Sequence, residues 1–186
     1  SILRAVDKLE DLARASQDQF AGRLRIGVIP TIAPYLLPTI IGNLTRMNAD
    51  LDIHVRETVT PKLLEELAEG RLDTAIVALP VSEPSLTEVA LFSEDFVLVR
   101  PDAEAGNPVP DRDMLHEMRV LLLEEGHCFR SQIMNLCELQ KASKEGHSFE
   151  YEAGSIETLR RMVELSDGIT ILPELASMEL TGKQQE

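Results

Sequence analysis

The sequence has no tryptophan and only 4% aromatic residues, so any buried core must be built from aliphatic side chains. It has just two cysteines, Cys128 and Cys137, too few for a disulfide-stapled secreted scaffold. With four dispersed histidines, that pair does not match a zinc site, and no cofactor is expected. No apolar run approaches the roughly 20 residues that a membrane span needs. The amphipathic, charged N-terminal stretch lacks the apolar centre of a signal peptide. Thiols without an export signal imply a reducing, cytoplasmic setting, where a disulfide is more often a signal than a staple. Positive charge is also scarce: 18 basic against 32 acidic side chains give a net charge of −14. Such a surface repels phosphate backbones and makes this segment a poor DNA binder by itself.

What is present is ample aliphatic material, 44% of 186 residues, enough for one ordinary domain or two small lobes. Residues 1–20 have helical spacing with a seam at Ile2, Val6, Leu9, Ala13, Ser16 and Phe20. A coiled-coil helix and a helix lying on its own domain both fit that seam. From Arg23 a strand–helix alternation begins. Residues 24–29 read as a strand, 34–47 as a helix and 51–57 as a strand. Thr60-Pro61 opens a helix closed by Gly70, with Thr60 as the expected N-cap, and residues 72–79 form the next strand. This order predicts a parallel sheet covered by helices.

Residues 89–100 carry two apolar runs, and 101–110 form a Pro- and Gly-rich loop. Beyond it, helices are expected at 111–118, 128–140 and 155–165, and strands at 120–123, 149–152 and 168–172. Two α/β lobes joined near residues 93–97 fit the pattern, and such lobes hold ligands beyond the carboxyl ends of their strands.

The arrangement that carries chemistry is Gly126-His127-Cys128, followed nine residues later by Cys137. Cys128 falls at a predicted helix start, where the helix dipole and free amides favour thiolate over thiol. His127 and Arg130 would add positive charge nearby. A thiolate attacks peroxide, and the resulting sulfenic acid can be trapped by a second thiol. If the intervening segment is helical, nine steps separate the cysteines by about 13.5 Å along the axis, on opposite sides. A disulfide needs Cα atoms within roughly 7 Å, so the bond requires the helix to unwind. Phe129, Ile133 and Leu136 define the apolar face, with Cys137 beside it and Cys128 well off it. Closing the ring stabilises by only ~3 kcal/mol, comparable with the packing of one short helix. The plain alternative is a pair of inert, reduced cysteines, and there is no Cys-x-x-Cys motif to argue against it.

Thr31 and Thr60 follow the first and second strands, where their hydroxyls suit a small polar ligand. Thr60 and Ser155 are equally explicable as helix caps. His54, His116 and His147 have no evident partners, and acidic pairs such as Glu124-Glu125 read as solvated faces.

Four stretches of this sequence resemble the OxyR group of LysR-type transcription regulators. These are RIGVIPTIAPYLLP at 25–38, LLEEGHCFRSQ at 122–132 with its second cysteine, SIETLR at 155–160 and GITILP at 168–173. The resemblance runs from about residue 1 to residue 176. It implies two Rossmann-like lobes of periplasmic-binding-protein type: the end of a linker helix at 1–21, regulatory lobe I at 22–93 and lobe II at 94–186. It implies that Cys128 is the peroxide-reactive thiol and Cys137 the resolving one. Thr31, Thr60 and His127 would surround the reactive sulfur. It further implies a hydrogen-peroxide-sensing activator, not an enzyme. DNA would be bound through an N-terminal winged helix-turn-helix, with RNA polymerase as a partner and homo-oligomers as the working form. In the family the chain continues into a strand and helix that return to the first lobe, with a cleft arginine for which no counterpart is assigned here. The competing readings are an effector-binding domain for a small metabolite with incidental cysteines, and a thiol peroxidase.

Overall fold

The structure is a computed structural model describing residues 22–138, 152–166 and 168–177. The expected N-terminal helix and the polar tail at 181–186 lie outside the described residues. Two compact units divide the chain, Ser1–Val77 and Ala78–Glu186.

The first unit is built on a parallel sheet in the order β2-β1-β3, from β1 (Gly22–Val28), β2 (Leu51–Glu57) and β3 (Thr74–Ile76). β1 is central, and its last three residues, Ile26, Gly27 and Val28, are all buried, as a strand covered on both faces requires. β2 lies at the sheet edge: Leu51 and Ile53 are half-buried while Asp52 and His54 between them are exposed. Helix α1 (Ala33–Met47) follows β1, and α2 (Thr60–Ala68) follows β2. Gly27 lets α2 approach closely, since a Cβ there would sit 2.7 Å from both Leu63 Cδ2 and Leu72 Cδ1. Leu63 is fully buried and contributes about 1.5–3 kcal/mol by its removal from water.

α2 ends as its sequence demands. Gly70 takes a φ of +67°, Gly70 N donates to Leu67 O, and Arg71 N donates to Glu66 O. This is a Schellman closure, which needs a left-handed residue at that point. The start differs from expectation. Val59, in extended conformation, is the N-cap, and Thr60 is already the first helical residue with its hydroxyl making no cap bond. The cap therefore sits one position upstream of the expected one, and Pro61 becomes the second helical residue.

In the second unit, residues 78–95 hold no helix or strand; there the Glu88 carboxylate accepts from the amides of Val81 and Ser82. β4 (Phe96–Val99) pairs antiparallel with β7 (Thr170–Pro173), and β5 (Leu122–Leu123) pairs parallel with β6 (Glu152–Ala153). A parallel bridge between Val120 and Ile169 joins the two pairs. The hydroxyl of Thr170 donates to Leu121 O at 2.9 Å inside this core, so its own burial leaves no hydrogen bond unmade. Helices flank these strands: α3 (Arg112–Glu117), capped by Asp111 accepting from Met114 N; α4 (Cys128–Leu136); and α5 (Ile156–Leu165). Ser155 accepts from Thr158 N, which settles its role as the cap of α5. A short helix, α6 (Glu174–Ser177), follows β7. Leu121, Leu123, Ile133, Leu159, Val163, Ile169 and Leu172 form an almost wholly aliphatic core.

Candidate functional site

The residues singled out by sequence fall in two groups, one in each unit. In the first, β1 and β2 run parallel and side by side, and the chain leaving each carboxyl end delivers a threonine. Thr31 lies in the turn between β1 and α1 and is buried. Thr60 is also buried, and its Oγ1 finds no hydrogen-bond partner among the described residues. A buried hydroxyl without a partner costs about 1–3 kcal/mol, so it marks a position where packing alone is not the explanation.

In the second unit, β5 ends in the turn Glu124-Glu125-Gly126 before α4. Gly126 has a φ of +95°, a left-handed value that disfavours any side chain. The turn sets His127 as the extended N-cap of α4 and Cys128 as its first helical residue. Cys128 is half-buried and beside the free amides of the first turn. Phe129 and Ile133 are buried and dock the helix on the core. Cys137 forms the C-cap, with its amide donating to Ile133 O at 3.0 Å, and is 2% exposed. Both cysteines are free thiols.

Three expectations for this segment need correction. The helix stops at Leu136, not at residue 140, because Glu138 enters the left-handed region with a φ of +54°. Leu136 is 45% exposed and does not belong to the apolar face, which Phe129, Ile133 and Cys137 make up instead. His127 supplies no fixed positive charge: burial holds its imidazole below the ordinary histidine range, with the Glu124 carboxylate opposing that effect. At neutral pH it is a neutral ring, able to accept a proton.

Sequence reasoning named two further groups here without foreseeing their contacts. Glu124, read as part of a solvated face, is exposed but has Oε1 3.9 Å from His127 Nε2. Their three-residue separation was the available signal. Arg130 was read as a nearby charge, yet its Nη1 donates to Leu123 O at 2.7 Å, tying the first turn of α4 to the end of β5. Among the described residues no cluster of three or more His, Cys, Asp or Glu side chains is placed to hold a metal ion, and no helix is long and apolar enough to cross a membrane.

The LysR substrate binding domain family matches residues 17–184. The chain belongs to the LysR substrate-binding domain family. Within that family it is similar to a probable hydrogen peroxide-inducible genes activator of Streptomyces viridosporus, 40% identical over 178 residues. That match covers 95% of this chain and 56% of the Streptomyces protein, so the chain spans little more than half the relative's length. Among solved structures, it is similar to the reduced regulatory domain of OxyR2 from Vibrio vulnificus. There the TM-score is 0.77 at 32% identity, covering 89% of this chain and 78% of that one. A C206S mutant of Corynebacterium glutamicum OxyR, bound to hydrogen peroxide, matches with a TM-score of 0.78 at 30% identity, covering 92% of this chain and 54% of that one. The LysR substrate-binding fold accounts for the two α/β units, as the alternation of strands and helices led one to expect.

Proposed function

We propose that this chain is the redox-sensing regulatory domain of an OxyR-type transcription activator, switched by hydrogen peroxide through a reversible Cys128–Cys137 disulfide. One observation carries the reading: two free thiols stand at the two ends of a single nine-residue helix, the first half-buried and the second buried.

The chemistry proceeds in two steps. The Cys128 sulfur, as thiolate, attacks one peroxide oxygen; an S–O bond forms, the O–O bond breaks, and the departing oxygen leaves as water after taking a proton. Neutral His127 accepts the thiol proton and returns it to that oxygen. The Cys137 sulfur then attacks the sulfenic sulfur. The S–S bond forms, the S–O bond breaks, and a second water leaves with the Cys137 proton. Two thiols lose two electrons and one peroxide gains them. The buried hydroxyls of Thr31 and Thr60 supply donors and acceptors suited to peroxide, and the family resemblance supports a ligand role for them together with His127.

An intact α4 holds the two cysteines about 13.5 Å apart along its axis, beyond the roughly 7 Å that a disulfide tolerates. Oxidation therefore remodels the helix, and a covalent event becomes a conformational one. The domain acts stoichiometrically as a regulator, not as a turnover enzyme. Residues 1–21 would end a linker helix, 22–93 would form lobe I and 94–186 lobe II. The resemblance also supports DNA binding by an N-terminal winged helix-turn-helix, contact with RNA polymerase, dimers or tetramers of the whole protein, and a cytoplasmic location.

Hydrogen exchange with mass spectrometry tests this reading. In the dithiol protein the α4 amides are protected; one equivalent of peroxide should remove two hydrogens from the mass and release that protection. Cys137→Ser should still form a sulfenic acid while α4 stays protected. A disulfide that forms with α4 fully protected would refute the switch. No disulfide at all would leave the metabolite-binding reading in its place.

A further inference from the structure

The rings of Phe96 and Phe129 meet edge to face, with centroids 5.4 Å apart and an interplanar angle of 77°. Phe129 is the residue after Cys128 and is buried, whereas Phe96 is 40% exposed on another element altogether. The two residues differ in how firmly they are mounted. Phe96 begins β4 and is paired with Pro173 of β7. Its neighbours are pinned as well: Glu174 N donates to Asp95 O at 3.0 Å, and Leu175 N to Glu94 Oε1 at 2.8 Å. Phe129 rides on α4, the helix that disulfide formation remodels. One ring is anchored to a strand ladder; the other belongs to the part that moves.

We propose that Phe96 is a positioning residue for the thiol–disulfide switch, holding Phe129, and with it the first turn of α4, in the dithiol arrangement. The inference rests on the proposed Cys128–Cys137 switch and adds to it a residue outside the redox segment that sets its balance. The ring contact exists only while α4 is folded. It therefore stabilises the dithiol state selectively, and its loss shifts the equilibrium toward the disulfide. Edge-to-face pairs contribute enough beyond simple burial to change an equilibrium between about two- and tenfold.

The test is equilibration of the domain in buffers of reduced and oxidised glutathione, with the disulfide fraction read by alkylation and mass spectrometry. Phe96→Ala should raise the disulfide:dithiol ratio about two- to tenfold at a fixed buffer ratio, and Phe96→Tyr, which keeps the aromatic ring, should restore it. Thermal unfolding of both forms separates this from a general packing role: Phe96→Ala should lower the midpoint of the dithiol form and leave the disulfide form near wild type. Hydrogen exchange in the dithiol form should show faster exchange at the α4 amides. Equal destabilisation of both forms with an unchanged ratio overturns the proposal while leaving the switch itself intact. If wild type forms no Cys128–Cys137 disulfide in any of these buffers, both fall together, and the wild-type lane alone reveals it.

Discussion

The imidazole Nε2 of His127 lies 3.9 Å from Glu124 Oε1, yet the ring is almost fully buried while the carboxylate faces solvent. Burial depresses the proton affinity of His127 and the carboxylate raises it, with burial the larger effect. The folded protein thus resists a proton that the unfolded chain accepts below pH about 6.5. Wherever the unfolded state binds more protons, stability rises with pH. Stability should accordingly fall as pH drops from about 6.5 toward the depressed folded value, and His127→Gln should flatten that part of the profile. Glu124→Gln should move the His127 titration, followed by NMR of the ring protons, to still lower pH. An upward movement would contradict this account of the pair.

Gly126 stands at a φ of +95° immediately before the N-cap of α4. A side chain there forces a strained backbone, so Gly126→Ala should cost about 1–2 kcal/mol in urea unfolding. Because the turn sets the extended conformation of His127, the alkylation rate of Cys128 should change as well. An unchanged midpoint together with an unchanged rate would show that the turn relaxes freely.

Ile133 and Leu136 make a paired test of how α4 is docked. Ile133 is 1% exposed, and Ile133→Ala should cost about 2–5 kcal/mol by leaving a cavity. Leu136 is exposed, and Leu136→Ala should stay within about 0.5 kcal/mol. Urea midpoints of the dithiol protein decide it; comparable losses at both positions would mean that the helix sits on the core by a different face.

How far the sequence revealed this architecture depended on the range of the signal. The strand at Leu51–Glu57 and the Gly70 stop are local patterns and appear where periodicity and turn chemistry put them. Thr60 and the end of α4 were misplaced because each depends on one residue's backbone, extended at Val59 and left-handed at Glu138, and many sequences tolerate either state. β5 lies within the strand expected at 120–123, while β6 meets the strand expected at 149–152 only at Glu152, the rest of that stretch lying outside the described residues. Of the candidate site, the Gly-His-Cys turn and the second cysteine were legible from spacing. The Phe96–Phe129 contact was not, since it arises only when distant segments fold together, and the Arg130 bond to Leu123 O was not, since it depends on how the turn between β5 and α4 folds back.

The unpartnered hydroxyl of Thr60 has a consequence for selection. Replacing a buried, unsatisfied group by an apolar isostere is neutral or stabilising, so Thr60→Val should hold or raise the thermal midpoint. The proposed ligand role of Thr60 predicts that the same change slows the reaction with peroxide in stopped-flow measurements; a lower midpoint with an unaltered rate would reveal an ordinary structural threonine. Screens for thermostability would favour valine at this position and, under the proposed ligand role of Thr60, would select against the response to peroxide. The first unit carries at Thr60 a small standing deficit of stability, one that the proposed polar ligand would relieve.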